Sequence, residues 1–303
     1  MNMHGATRRI KGLYNEPQNT IDIVMIGNSD MYNGVSPMVL WNDLGVTSYH
    51  IGNPLETTWV SYYLLRDFYK TQKPKLAIID MDYIFTDKDS RNDIRKSIDC
   101  MKFSLNKLEL ILCKDVKVPV STRISYLMPL IRYHSRWNEL SDEDFTGVTE
   151  KYLAPFKGQE FNKKIKAYKK NSKKTEQDVV DEIPEKCKRN LDKVLKLCKE
   201  NSTEVIFVYI PTIKSWNQKK SDLISQYAQE KNIPYIDYNL NENFNWEKCS
   251  RDEGNHLNIY GAEIITKDIE SIVKAYNLED HREDEDYSSW NYNYEIYENL
   301  KKN

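Results

Sequence analysis

The 303-residue chain has only 10 glycines and 10 prolines, too few for a collagen-like or linker-dominated architecture. Its five cysteines (Cys100, Cys113, Cys187, Cys198 and Cys249) lie far apart and form no Cys-x-x-Cys pair. That spacing argues against a disulfide framework and against a zinc ribbon. Neither sign of charge is in surplus: 44 Lys+Arg stand against 46 Asp+Glu, a formal net charge of −2. This balance excludes a globally basic nucleic-acid binder and leaves only a local patch to consider. Long apolar runs are also missing. The longest, Val205 to Ile210, has the length of a strand and falls far short of the roughly 18 residues a membrane helix needs. The opening MNMHGATRRIKGLYNEP has no apolar signal core. Two readings follow: a cytoplasmic protein, or an extracytoplasmic piece whose targeting segment or anchor is absent from this sequence. Phosphate-loop, dinucleotide-binding and zinc-protease signatures are absent as well.

What is present is the composition of a folded chain, 40% apolar, 12% aromatic and 30% charged. Its length suffices for a single large core. Residues 1–20 are polar and predict an irregular lead-in. Asp22 to Gly27 then reads as a short buried strand, closed by the turn-forming set Gly27-Asn28-Ser29-Asp30. Ser36-Pro37 opens a helix that stops at Gly45. Ser48 to Gly52 predicts a second strand, Thr58 to Gln72 a helix, and Leu76 to Asp80 a third strand. Strand and helix alternate again near the end. Glu204 to Pro211 is a strand, 219–231 a helix, Pro234 to Asp237 a strand, and Asn258 to Tyr276 a helix. This alternation predicts βαβ units, hence a three-layer α/β/α sandwich with a mainly parallel sheet.

Residues 85–200 show no strand pattern. Asn106 to Cys113, Ser121 to Tyr133 and 180–200 have helical spacing, the last with Val180, Ile183, Cys187, Leu191, Val194 and Cys198 on one face. The expected organisation is therefore one α/β domain over 21–277, with a helical insertion at about 85–200. The stretch 278–303, acidic and then aromatic, reads as a tail. The lysine-rich part of the insertion, 157–174, reads as a solvated face in preference to a polyanion site.

Two constellations could carry chemistry. Ser29 stands in a tight turn after a parallel strand, where its hydroxyl would be exposed and turn N–H groups would face an oxyanion. The structural alternative is that Ser29 or Asp30 only caps the next helical turn. His256 stands just before the last helix, with Asp252 and Glu253 four and three residues upstream. A serine nucleophile needs a base, and the base needs a carboxylate to fix its tautomer.

Taken together, a serine after the first strand and an acid–histidine pair before the last helix resemble the SGNH (GDSL-type) hydrolases. Gly27-Asn28-Ser29 resembles the family's Gly-Asp-Ser block, and Asp252 to His256 its Asp-x-x-His block. His50-Ile51-Gly52 resembles its second block, whose glycine N–H helps form the oxyanion hole. The resemblance covers about Ile21 to Ile272 and is loosest over the insertion. It implies a flavodoxin-like SGNH hydrolase fold, Ser29 as nucleophile, His256 as base, and the N–H groups of Ser29 and Gly52 around the oxyanion. No metal or organic cofactor is implied.

The sequence departs from the family at two points. The third block, Gly-x-Asn-Asp, would fall at Asp80-Met81-Asp82, where no asparagine stands; nearby Asn53 is the candidate substitute donor. The family's acid offset selects Glu253, whereas the residue type selects Asp252, and both remain candidates. His256-Leu257-Asn258 with Gly261-Ala262, and the Gln72-Lys-Pro-Lys segment, look most like a bacterial surface branch that modifies cell-wall polymers or exopolysaccharides. That resemblance implies an esterase or O-acetyltransferase acting on an acylated carbohydrate or cell-wall polymer, with a membrane acyltransferase as partner. Two other classes stay open: an accessory binding module without turnover, and a cytoplasmic small-ester hydrolase. Within the insertion, His134, Arg136 and Trp137 are expected to line the substrate groove.

Overall fold

The computed structural model describes residues 4–87, 91–128, 154–168 and 180–303. Five strands, β1 (Ile23–Ile26), β2 (Ser48–His50), β3 (Leu76–Asp80), β4 (Glu204–Tyr209) and β5 (Tyr235–Asp237), form one sheet. All pair in parallel, in the order β2-β1-β3-β4-β5. Every strand lies within two residues of the range its apolar run predicts. The helices between and around them are α1 (His4–Leu13), α2 (Ser29–Gly34), α3 (Pro37–Leu44), α4 (Thr58–Phe68), α5 (Arg91–Ile98), α6 (Leu105–Leu112), α7 (Val120–Leu127), α8 (Glu185–Glu200), α9 (Gln218–Lys231), α10 (Trp246–Cys249), α11 (Ile259–Val273) and α12 (Ser288–Lys302).

Strands buried on both faces explain why β1 and β3 are continuous apolar runs. Alternate side chains serve opposite cores, as the two-residue period of a strand requires. Ile23, Met25, Ile78 and Val208 join Ile265, Ile269 and Val273 of α11 on one face. Val24, Ile26, Ile79 and Phe207 join Leu64, Leu65 and Phe68 of α4 and Leu191, Val194 and Cys198 of α8 on the other. The result is a three-layer α/β/α sandwich. Because α8 covers the sheet, it serves as the helix leading into β4. Between β3 and α8, helices α5, α6 and α7 bury Ile94, Ile98, Leu110, Ile111 and Tyr126 in the same core as α4 and α8.

Both ends of the chain are more ordered than their polarity predicts. In the lead-in, α1 buries Ile10 and Leu13, and the Tyr49 hydroxyl donates to the Arg9 carbonyl at 2.8 Å. Arg9 of the same helix is buried over the Tyr32 ring, 3.8 Å from its centre, and helps to dock it. In the tail, α12 buries Trp290 and Tyr297, and the Trp290 ring lies 5.4 Å from that of Trp41. Upstream, His281 Nε2 stands 3.1 Å from Asp22 Oδ2, so the tail is tied to the start of β1. No helix among the described residues is long and apolar enough to cross a membrane.

The strand order places a topological switch beside β1, with β2 on one side and β3 on the other. In open α/β sheets such a switch, at the carboxyl ends of the strands, is where ligands bind. The segments that leave β1 and β3 there are Gly27-Asn28-Ser29 and Met81-Asp82.

Candidate active site

Ser29 is the first residue of α2, and the residue that caps this helix is Asn28. The Asn28 side-chain oxygen accepts the Asp30 N–H at 2.9 Å. The cap therefore leaves the Ser29 hydroxyl free, and it lies 2.9 Å from His256 Nε2. The histidine comes from a tight loop between α10 and α11. Ser250 and Leu257 pair across its base, and Ser250 Oγ accepts the N–H of Gly254 at 2.6 Å. Glu253 and Gly254 both take left-handed backbone, with φ of 64° and 85°. That pair of left-handed residues turns the chain back on itself, so the carboxylate four residues before the histidine meets the ring.

Asp252 is that carboxylate. Its Oδ2 lies 2.6 Å from His256 Nδ1, and its Oδ1 accepts the His256 backbone N–H at 2.7 Å. Glu253 instead points outward and pairs with Lys166 at 3.1 Å. The structure thus brings Ser29, His256 and Asp252 into one hydrogen-bonded line and leaves Glu253 out of it. The three-residue offset failed because it ignores the backbone hand of Glu253. Asn255 Nδ2 also lies 2.9 Å from His256 Nδ1. One ring nitrogen cannot both donate to the carboxylate and accept from the amide, and the shorter, charge-assisted contact with Asp252 dominates. Nδ1 then carries the proton and Nε2 has a lone pair aimed at Ser29. Although partial burial opposes it, the two His256 hydrogen bonds and the Arg251 cation hold the Asp252 carboxyl below its ordinary range.

Gly52 meets the turn that carries Ser29 backbone to backbone. A Cβ added there would fall 1.8 Å from the Gly27 carbonyl oxygen, so only glycine allows the loops after β1 and β2 to approach this closely. Asn53 is engaged elsewhere. Its backbone N–H donates to Glu56 at 3.0 Å and its side-chain amide to Ser97 at 2.9 Å, both within the protein interior. This network pins the loop behind Gly52 and orients the Asn53 amide toward Ser97.

Asp82 occupies the position where the third-block amide was sought. It accepts from Asn28 Nδ2 at 3.1 Å and from the Tyr209 hydroxyl at 3.0 Å. Asp30 and Asp80 lie close by. Burial, and then Asp82, push both carboxyls well above their usual range. Among the described residues, no group of three or more His, Cys, Asp or Glu is arranged to hold a metal ion.

Three contributors have no obvious sequence signal. Arg251 Nη1 donates to Asn33 Oδ1 at 2.7 Å, and Asn33 Nδ2 donates to the Ser29 carbonyl at 2.5 Å. Tyr209, at the end of β4, holds Asp82 from the far side. His134, Arg136 and Trp137 lie outside the described residues.

No family model and no curated protein matches the chain. Solved structures that align with it include a Bacteroides fragilis protein described as an acylhydrolase, at 14% identity and a TM-score of 0.42, covering 89% of this chain and 94% of the other. A GDSL-like lipase from Bacteroides thetaiotaomicron aligns at 14% identity and a TM-score of 0.42, covering 90% and 99%. The psychrotrophic esterase EstA from a Pseudoalteromonas species, in a structure inhibited by monoethylphosphonate, aligns at 9% identity and 0.41, covering 84% and 97%.

Proposed function

We propose that this chain is a serine hydrolase of carboxylic esters of the SGNH (GDSL) type, acting on an acylated carbohydrate or cell-wall polymer. The observation that carries the reading is the continuous line Ser29 Oγ–His256 Nε2 at 2.9 Å and His256 Nδ1–Asp252 Oδ2 at 2.6 Å. Ser29 Oγ attacks the ester carbonyl as His256 Nε2 takes the hydroxyl proton. The Asp252 carboxylate stabilises the imidazolium so formed. His256 then gives that proton to the departing alkoxide, leaving an acyl group on Ser29. Water, or a sugar hydroxyl in a transferase, loses its proton to His256 as it attacks the acyl-serine; the acyl–Oγ bond then breaks, the acid or new ester leaves, and His256 returns the proton to Ser29 Oγ. The N–H groups of Ser29 and Gly52 are the proposed oxyanion donors, with Asn53 set aside by its bonds to Glu56 and Ser97.

The test is hydrolysis of p-nitrophenyl acetate by wild type, Ser29→Ala and His256→Ala. Loss of about a thousandfold or more in kcat in both variants supports the assignment, since members of such a unit fail together. Unchanged rates would remove it.

A second reading, an accessory module that binds an acylated glycan without turnover, is favoured by Asp82. A carboxylate beside the oxyanion position opposes the charge that develops there. It predicts glycan binding by wild type with no acetate released.

A further inference from the structure

The lysine-rich segment, expected to be a solvated face, runs in its described part as an extended strap along the edge of the site. Its even-numbered residues are fastened to both walls. Glu160 N–H donates to the carbonyl of Tyr32, one turn beyond Ser29, at 3.0 Å. The Asn162 carbonyl accepts the Ile259 N–H at 3.0 Å, and the Lys164 carbonyl accepts Asn258 Nδ2 at 3.2 Å. Lys166 N–H donates to the Ser250 carbonyl at 2.9 Å, and the Lys166 carbonyl accepts the Glu253 N–H at 3.0 Å. The strap therefore follows the loop that carries Asp252 and His256.

Inward-facing Phe161 anchors it, with its ring 5.2 Å from Phe156 and 5.2 Å from Tyr297. Lys164 and Lys166 are exposed, and Lys163 is half-buried. The acidic groups around Lys163 and Lys164 are matched by other cations. Glu253 pairs with Lys166, Asp252 faces His256 and Arg251, and Glu160 lies 3.9 Å from Arg9. Lys163 and Lys164 have no carboxylate partner among the described residues. A chain with a net charge of −2 thus presents unmatched positive charge along the loop that carries its candidate base. Lysines, as mobile point charges, suit a row of anions better than a single forked carboxylate site.

We propose that the acyl group removed by Ser29 is carried on an anionic polysaccharide, whose carboxylate or phosphate groups lie against Lys163 and Lys164. This rests on the ester-hydrolase reading above and adds the charge class of its substrate.

The experiment compares three substrates of matched length and acetyl content: O-acetylated polygalacturonate, O-acetylated dextran phosphate and O-acetylated dextran. Acetate release by the full chain is followed at about 0.05 M and about 0.5 M salt, where screening lengths differ severalfold. The expected result is a preference of about tenfold or more for an anionic polymer at low salt, within the range that charge steering supplies. That preference shrinks at high salt and in the Lys163→Gln/Lys164→Gln double variant. Whichever anionic polymer is preferred names the anion. Equal kcat/KM on all three substrates at both salt concentrations overturns the proposal.

Failure to release acetate from any substrate would strike the hydrolase reading instead. The charge inference is then decided by binding of unacetylated polygalacturonate and dextran phosphate to the Ser29→Ala protein. Salt-sensitive binding of either polymer supports it, and absent or salt-insensitive binding overturns it.

Discussion

Arg251 and Asn33, 218 residues apart, are joined by a 2.7 Å hydrogen bond that links the two halves of the site. Asn33 holds the Ser29 carbonyl, and Arg251 Nε lies 3.7 Å from Asp252 Oδ2, so one guanidinium touches both Asp252 and the helix that begins at Ser29. Under the hydrolase reading, Arg251 acts as a positioning residue. Arg251→Met should lower kcat about ten- to a hundredfold with little change in KM, because small misplacements of reacting groups are costly. The acid limb of the pH–rate profile should move to higher pH, since the Arg251 cation helps hold the Asp252 carboxyl down and its loss favours protonation of that carboxyl. Arg251→Lys should restore part of both. A rate loss with no movement of the profile would reduce Arg251 to a purely structural part.

Asp82→Asn tests whether the carboxylate at the third-block position restrains turnover. The Tyr209 hydroxyl can still donate to the new side chain, while the Asn28 contact must rearrange. Removing negative charge beside a developing oxyanion should raise the rate on small esters, by about tenfold at neutral pH. A large loss with the fold intact would mean that the carboxylate itself is needed.

Glu56 gives the fold a pH dependence of predictable sign. Burial pushes its carboxyl up to about 8, against the opposing hydrogen bonds from Ser61 at 2.7 Å and Asn53 at 3.0 Å. Between the ordinary value of 4.5 and about 8, the folded chain keeps a proton that the unfolded chain has lost. Stability attributable to this group therefore falls as pH rises through that window. Glu56→Gln, neutral throughout, should flatten the fall in Tm across it relative to wild type. Parallel Tm curves for the two proteins would contradict the assignment.

Gly52→Ala places a methyl group against the Gly27 backbone, which no side-chain rotation can relieve. Overpacking of this kind typically costs about 1–3 kcal/mol, and the shift would fall on the turn holding Ser29. Thermal unfolding together with ester turnover checks it. A variant with wild-type Tm and wild-type rate would show that the two loops are not held this tightly.

The sheet was legible because buried parallel strands are written as short apolar runs, as in Leu76 to Asp80 and Glu204 to Tyr209. Ser29 and His256 were legible because turn chemistry and a helix start fix where they stand. The choice of Asp252 over Glu253 was not, because it depends on the positive φ of Glu253, which the packed loop imposes. The partnership of Asn33 and Arg251 was hidden by its separation along the chain. The docking of Ile10 and Leu13 was hidden because two apolar residues in a polar stretch make too short a pattern, whereas Trp290, Tyr294 and Tyr297 of the tail do stand at helical spacing. The lysines of 163–166 were visible as charge, but their place beside His256 comes only from the strap's backbone bonds.

The most direct test of the central claim is covalent labelling with a fluorophosphonate, followed by peptide mass mapping of the adduct. A serine activated by His256 and Asp252 should take up one equivalent, with the adduct on the Ser29 peptide. Ser29→Ala should take up none, and Asp252→Asn should react far more slowly, by about ten-thousandfold where the acid fixes the tautomer. An unlabelled wild-type protein, or an adduct mapped to another residue, would contradict the account.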